Sequence, residues 1–284
     1  MTWQAYRVVF RLLAPMHIGY RKVGNIQLTR PYVTGRVLWG ALTARLTRDI
    51  VSTPRGEDYI EKGKQVNERL AFTYFYPAVE EDGDYQLYLP PFDDEFYYRF
   101  LFTYASTALE YDRFAAEEGS LHEVEYIGPY TRDEGAPVYL AGYVIAKDSG
   151  LFGWQRALER VQLGGERGYG WGRVRVELME GLQGDAIHIF DCYEVDLKAD
   201  PLIITVAENT PLLAHTEAEG VSAAGPIEPL VGREWENLPN PEGRVGAGQH
   251  LSRAKICYAP GSKVSNKASF IIGPYGIWHK IRTI

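Results

Sequence analysis

From Leu163 to Gly172 the chain reads Leu-Gly-Gly-Glu-Arg-Gly-Tyr-Gly-Trp-Gly, and five of the nine residues from Gly164 to Gly172 are glycine. No helix or strand survives that density of residues without a side chain, because glycine loses the most backbone freedom on ordering. The flanks are regular: residues 152 to 162 (FGWQRALERVQ) carry a helical pattern, and residues 173 to 178 (RVRVEL) alternate as a strand does. The chain must therefore pass from helix to strand through an irregular glycine-lined turn. That order excludes two familiar glycine cradles. A nucleotide P-loop follows a strand and ends in Gly-Lys-Ser/Thr, and the dinucleotide fingerprint opens a helix rather than closing one.

Glycine lets backbone approach a ligand closely and turn successive N–H groups toward an anion. Arg167, Arg173 and Arg175 bring charge to this turn, and Tyr169 and Trp171 bring flat rings. Guanidinium groups beside aromatic faces suit the phosphates and bases of single-stranded RNA. The structural alternative is a tight turn whose glycines serve packing alone.

The remaining periodicity predicts a strand over 3 to 13 ending at Pro15, a loop over 17 to 31, and an amphipathic helix over 36 to 50 on Leu38, Leu42 and Leu46. A second helix is expected over 57 to 71, then a short aromatic strand over 72 to 77 and a hairpin turn at Asp82-Gly83 leading to a strand over 85 to 89. Further strands are expected in the later part of 97 to 111, over 122 to 127 and over 138 to 146. The order strand, helix, strands, helix, strand predicts an α+β fold with a ferredoxin-like (RRM-like) βαββαβ module carrying insertions over residues 1 to 180. A β-rich second module is expected over 187 to 284, with strands at 187 to 197, 201 to 207, near 250 to 258 and at 268 to 279, around an irregular stretch at 215 to 248.

The formal net charge of −7 argues at first against a nucleic-acid partner, but it is unevenly spread. No acidic residue precedes Asp49, so Arg7, Arg11, Arg21, Lys22, Arg30, Arg36, Arg45 and Arg48 give that segment +8 and leave −15 for the rest. A local positive field on an acidic body attracts phosphate. Arg7 and Arg11 interrupt the first apolar stretch, which suits neither a leader nor a membrane span, so a cytoplasmic protein is expected. Cys192 and Cys257 are the only cysteines, and neither has a zinc spacing, so no metal or other cofactor is expected.

His17, beside Arg21 and Lys22, is a catalytic candidate: as a general base it would activate a ribose 2′-hydroxyl. The alternative is a histidine that orders backbone. The histidines at 122, 188, 215, 250 and 279 are scattered. Ser120 with His122 lacks a nucleophile elbow, and Asp93, Asp94 and Glu95 read as a solvated acidic turn.

Four stretches together resemble the RAMP superfamily of CRISPR-associated proteins. They are Leu13-Ala14-Pro15-Met16-His17-Ile18-Gly19; residues 31 to 42 (PYVTGRVLWGAL); Glu110-Tyr111-Asp112-Arg113 with Glu118-Gly119-Ser120-Leu121; and residues 163 to 174 with the Gly-rich turn. The resemblance covers mainly residues 5 to 178, and past 180 it rests on Ala259-Pro260-Gly261-Ser262. It implies that the His-Ile-Gly strand end feeds a loop and the Gly-Ala-Leu helix, and that the Gly-rich loop touches guide RNA. The slicing backbone type carries an Asp after His-Ile-Gly, whereas residues 18 to 34 contain no acid, and Val33-Thr34-Gly35-Arg36 replaces the usual Pro-Gly-Ser.

The chain is thus most similar to a non-slicing, handle-capping subunit of a type III effector complex. A pre-crRNA endoribonuclease using His17, a backbone subunit and a protein-only adaptor are the alternatives, the last on the acidity and 20 tyrosines. The implied partners are crRNA, other effector subunits and target RNA, with no membrane. The candidate RNA contacts are Arg21, Lys22, Arg30 and Arg36 with Gly165, Arg167, Gly168, Tyr169, Gly170, Trp171 and Arg173.

Overall fold

The computed structural model describes residues 2–148, 150–236, 246–251 and 254–281, with backbone alone for 233–236 and 246–251. It is mixed α+β, with four α-helices and three substantial sheets among the described residues.

The first sheet runs Val174–Gly181, Trp3–Leu12, Tyr139–Lys147, Tyr76–Glu81, Asp84–Leu87, and Leu70–Phe72 also pairs with Tyr139–Lys147. Its four longest strands therefore lie in the order fourth, first, third, second, each antiparallel to its neighbour. Helices α1 (Gly35–Ile50) and α2 (Gly56–Arg69) connect the first to the second of these strands. Helix α3 (Asp94–Phe100) lies between the second and third, and α4 (Trp154–Leu158) connects the third to the fourth.

Period-2 alternation sends Val8, Phe10 and Leu12 to the helical side, where Leu38, Leu42 and Leu46 of α1 recur every fourth residue on one stripe. Ala5 and Val9 point the other way. There, Ala5, Tyr74, Tyr76 and Ile145 share a core with Ile187, Ile204, Phe270 and Trp278 of an eight-stranded sheet. The start of α1 meets this C-terminal part closely: a Cβ on Gly35 would collide with the Tyr275 carbonyl.

The Asp82-Gly83 hairpin forms as expected, both residues taking positive φ (51° and 84°). Other local expectations are corrected. The 17 to 31 loop is a hairpin of Gly19–Val23 and Ile26–Thr29, turned by Gly24 at φ 59°. With His122–Ile127 and Leu101–Ser106 it builds a four-stranded sheet. The strand expected in the later part of 97 to 111 does form, at Leu101–Ser106, directly after α3, whose Asp93 cap accepts from the Phe96 N–H at 2.9 Å. The 152 to 162 helix shrinks to α4, because Gln162 is already bridging Arg173. The 187 to 197 strand is a hairpin, Ala186–Ile189 and Tyr193–Asp196, folded at Phe190 and Asp191 with φ 48° and 66°. The 215 to 248 stretch contains short strands, among them Ile227–Leu230 and Arg233–Glu236; its residues 237–245 lie outside the described set. The expected strand near 250 to 258 is two, Gly246–Leu251 and Lys255–Tyr258, with 252–253 outside that set, as are 282–284 of the expected second module.

Candidate nucleic-acid interface

The Gly-rich turn is buttoned onto the end of the first strand. Gly165 donates its N–H to the His17 carbonyl at 2.8 Å, Gly172 donates to the Pro15 carbonyl at 2.7 Å, and Leu163 donates to the Gly172 carbonyl at 2.8 Å. A Cβ would strike the Leu163 carbonyl at Gly172 and the His17 carbonyl at Gly164. At Gly168 and Gly170 it would meet nothing within 4 Å. The turn thus has a packed end and an open end, and the open end carries Arg167 and Tyr169, the latter 84% exposed.

His17 is the peg under the packed end. It is 6% exposed, and its Nδ1 hydrogen-bonds the Glu125 carbonyl at 2.8 Å while its own carbonyl holds Gly165. The arrangement orders the loop.

On the hairpin, Arg21 and Lys22 are exposed, and the guanidinium groups of Arg21 and Arg30 lie 5.1 and 4.6 Å from the Tyr20 ring. Arg30 is otherwise committed. Its side chain is 12% exposed and donates to Glu228 Oε1 at 2.8 Å, Glu228 Oε2 at 3.3 Å and the Tyr32 hydroxyl at 3.2 Å. Glu228 also accepts from His215 Nε2, and the Tyr74 hydroxyl donates to His215 Nδ1 at 2.7 Å. This chain of bonds satisfies a neutral imidazole at both nitrogens. Burial lowers His215 below its ordinary value, and burial raises Tyr74 and Tyr32. Burial works to raise Glu228 as well, but hydrogen bonds from His215 and Arg30 outweigh it and bring the carboxyl to about 2.

Between hairpin, α1 and Gly-rich turn on one side and residues 229–232, Lys255 and Tyr275 on the other lies a groove of about 830 Å³. Five cations line it, Arg30, Arg36, Arg48, Arg167 and Lys255, and no described Asp or Glu does. Its floor along α1 is narrow in side chain, Gly40, Ala41 and Ala44 lying between Arg36 and Arg48. Arg36 sits 4.7 Å over the Tyr275 ring, Lys255 pairs with Glu217 at 2.6 Å, and Arg48 donates to the Tyr59 hydroxyl at 3.3 Å.

Of the residues singled out in sequence, Arg30, Arg36, Gly165 and Arg167 come together in this groove. Arg21, Lys22, Gly168, Tyr169, Gly170 and Arg173 do not line it, and Trp171 packs elsewhere, half-buried, on Tyr126 and Tyr104. The candidate contacts omit Tyr20, Arg48, Lys255 and Tyr275, although Arg48 belongs to the acid-free basic segment. For Arg48 a signal existed: arginines at 36 and 48 bracket small residues at 40 and 44, all on one helix face by 3.6-residue periodicity.

Among the described residues no group of three or more His, Cys, Asp and Glu gathers, both cysteines are free, and no helix is long and apolar enough to cross a membrane.

No family model and no curated protein matches the chain. Among solved structures, a chain of the type III-B Cmr-beta complex bound to cognate target RNA aligns with 62% of this chain and 96% of its own, at 12% identity and TM-score 0.40. A chain of the apo state of Cmr-beta aligns with 61% and 96%, at 11% identity and TM-score 0.40. A chain of Cmr-beta bound to cognate target RNA and AMPPnP aligns with 91% and 85%, at 12% identity and TM-score 0.48.

Proposed function

We propose that the chain is a non-catalytic, crRNA-binding subunit of a type III CRISPR ribonucleoprotein in antiviral defence, holding the guide's 5′ handle region in the groove. The observation that carries this reading is the groove's charge: five cations line it with no described carboxylate among the lining, and although Arg30 and Lys255 are ion-paired behind it, Arg48 and Arg167 are not, on a protein of net charge −7. A phosphodiester chain is the ligand such a field attracts; Arg48 is bonded to the Tyr59 hydroxyl and Arg167 is exposed, and neither has a described carboxylate to displace first.

The order fourth, first, third, second in an antiparallel sheet, with helical crossovers after the first and third strands, supports a ferredoxin-like module over residues 1 to 180. The β-rich part from 187 supplies the opposite wall. The ordered motifs at 13 to 19, 31 to 42 and 163 to 174 support membership of the RAMP superfamily, and with it a cytoplasmic complex that includes other effector subunits and target RNA. The endoribonuclease alternative needs His17 to reach a ribose hydroxyl; its 6% exposure and its bond to the Glu125 carbonyl favour the structural role.

The test is a labelled guide RNA with a repeat-derived 5′ handle titrated at several salt concentrations. Two neutralised phosphates, at Arg48 and Arg167, give a log–log slope of about −1.4, at about −0.7 per single-stranded phosphate. Arg48→Ala and Arg167→Ala each weaken binding; binding indifferent to both and to salt overturns the reading.

A further inference from the structure

The Gly-rich turn borders two surfaces, the groove on the Gly164 side and an aromatic face on the Trp171 side. The Trp171 ring lies 5.0 Å from Tyr126 and 6.0 Å from Tyr104. The contacts continue, with Phe102 stacked on Tyr126 at 5.7 Å and 17°. The Arg132 guanidinium follows at 4.6 Å from Phe102 and 5.1 Å from Tyr98, pinned by a 2.6 Å bond to the Leu101 carbonyl.

Strand alternation sorts charge on this four-stranded sheet. Val124 faces Tyr104 and Tyr126 faces Phe102 in register, so these four residues share one face. Glu123 and Glu125 fall on the other, where Glu125 accepts from the Thr29 N–H at 2.9 Å. In the row of Tyr104, Val124 pairs with Gln27 and Gln27 with Lys22. Three strand spacings put Lys22 roughly 14 Å from Tyr104 on the same face. Lys22 is exposed and has no described carboxylate partner, and Tyr104 is 55% exposed.

We infer that this aromatic face is a base-stacking platform for single-stranded RNA, on which a base lies against Tyr104 while Lys22 meets the backbone. The inference rests on the RNA reading of the groove, since one strand crossing the Gly-rich turn would touch both surfaces. A protein partner would also use tyrosine, tryptophan and arginine, and would bury apolar surface at its core. The one aliphatic residue among the Leu101–Ser106 and His122–Ile127 positions of this face, Val124, is already only 5% exposed. A face with no described Asp or Glu at its strand positions and a lysine in the aromatic row instead complements a polyanion.

The experiment compares a fluorescent uridine 15-mer with an abasic ribose-phosphate chain of equal length, in wild type, Tyr104→Ala, Tyr104→Phe and Arg48→Ala/Arg167→Ala proteins. Wild type should prefer the base-bearing chain by about 5- to 150-fold, the worth of one stacked base. Tyr104→Ala should erase that preference without changing affinity for the abasic chain, and Tyr104→Phe should keep it. A preference retained in Tyr104→Ala, or lost equally in Tyr104→Phe, overturns the platform. So does a Tyr104→Ala protein that keeps the preference but loses co-purifying effector subunits. Abasic-chain binding that survives Arg48→Ala/Arg167→Ala overturns the groove reading alone, and a wild type that binds neither chain overturns both.

Discussion

Arg30 and Arg167 line the same groove, and a count of charge treats them alike. Arg30 has Glu228 at 2.8 Å and a side chain 12% exposed, while Arg167 is exposed on the open end of the Gly-rich turn with no described carboxylate partner. One charge is spent on holding the C-terminal part against the hairpin; the other is available to a ligand. A positive run in sequence therefore measures potential at a distance, whereas the charge a phosphate meets depends on carboxylates far away in the chain. Here the deciding one is 198 residues from Arg30.

The contrast breaks most directly at Glu228. Glu228→Ala leaves the Arg30 guanidinium buried and unpaired, and removing one partner of a buried pair costs about 3–5 kcal/mol. Denaturant unfolding should show that loss; a change below about 1 kcal/mol would mean that Arg30 is not clamped. The Gly-rich turn offers the same comparison between its packed and open ends. Gly172→Ala pushes a Cβ into the Leu163 carbonyl at a φ of 74° and should cost about 1–3 kcal/mol. Gly168→Ala, with nothing within 4 Å, should stay within about 0.5 kcal/mol. Equal costs at the two sites would show that the turn is not held where its hydrogen bonds place it.

Much of the scaffold was legible because its signals are local. The alternation of Val8, Phe10 and Leu12, the fourfold spacing of Leu38, Leu42 and Leu46, and Asp82-Gly83 each need only a few neighbouring residues. The hairpin at 19 to 29 was missed because its first strand is exposed throughout and carries Arg21 and Lys22 rather than a buried alternation, although Gly24-Asn25 is itself a hairpin turn signal. In the site, the Gly-rich turn was visible, but its division into packed and open glycines depends on the carbonyls of Pro15 and His17, some 150 residues earlier. His215 stood among scattered histidines, and nothing near it in sequence announces Tyr74, 141 residues away.

Acid titration sharpens the role of the clamp. Burial holds His215 below its ordinary 6.5, so the unfolded chain binds a proton that the fold does not. That contribution is complete above pH 6.5 and is lost as pH falls below it. Glu228, brought to about 2 from its ordinary 4.5 by His215 and Arg30 against the upward push of burial, adds a second limb. It is complete above about pH 4.5 and is lost as pH falls toward 2. Melting temperature against pH for wild type and Glu228→Gln should therefore show a gap that closes between these values, because the protonated carboxyl resembles the amide. A constant gap would show that the charge contributes nothing.

The smallest effect on stability belongs to Arg167 and completes the comparison. An exposed arginine without a carboxylate partner has no buried bond to lose, so Arg167→Ala should leave unfolding free energy within about 0.5 kcal/mol of wild type. The same substitution removes one phosphate contact and should make the log–log salt slope of RNA binding shallower by about 0.7. Arg30→Ala should do the reverse, lowering stability as Glu228 keeps only its His215 hydrogen bond while the slope, measured on the folded fraction, holds. If Arg167→Ala instead unfolds the protein and leaves the slope unchanged, the two arginines have exchanged roles. The open end of the turn is then a structural contact rather than a place where RNA is met.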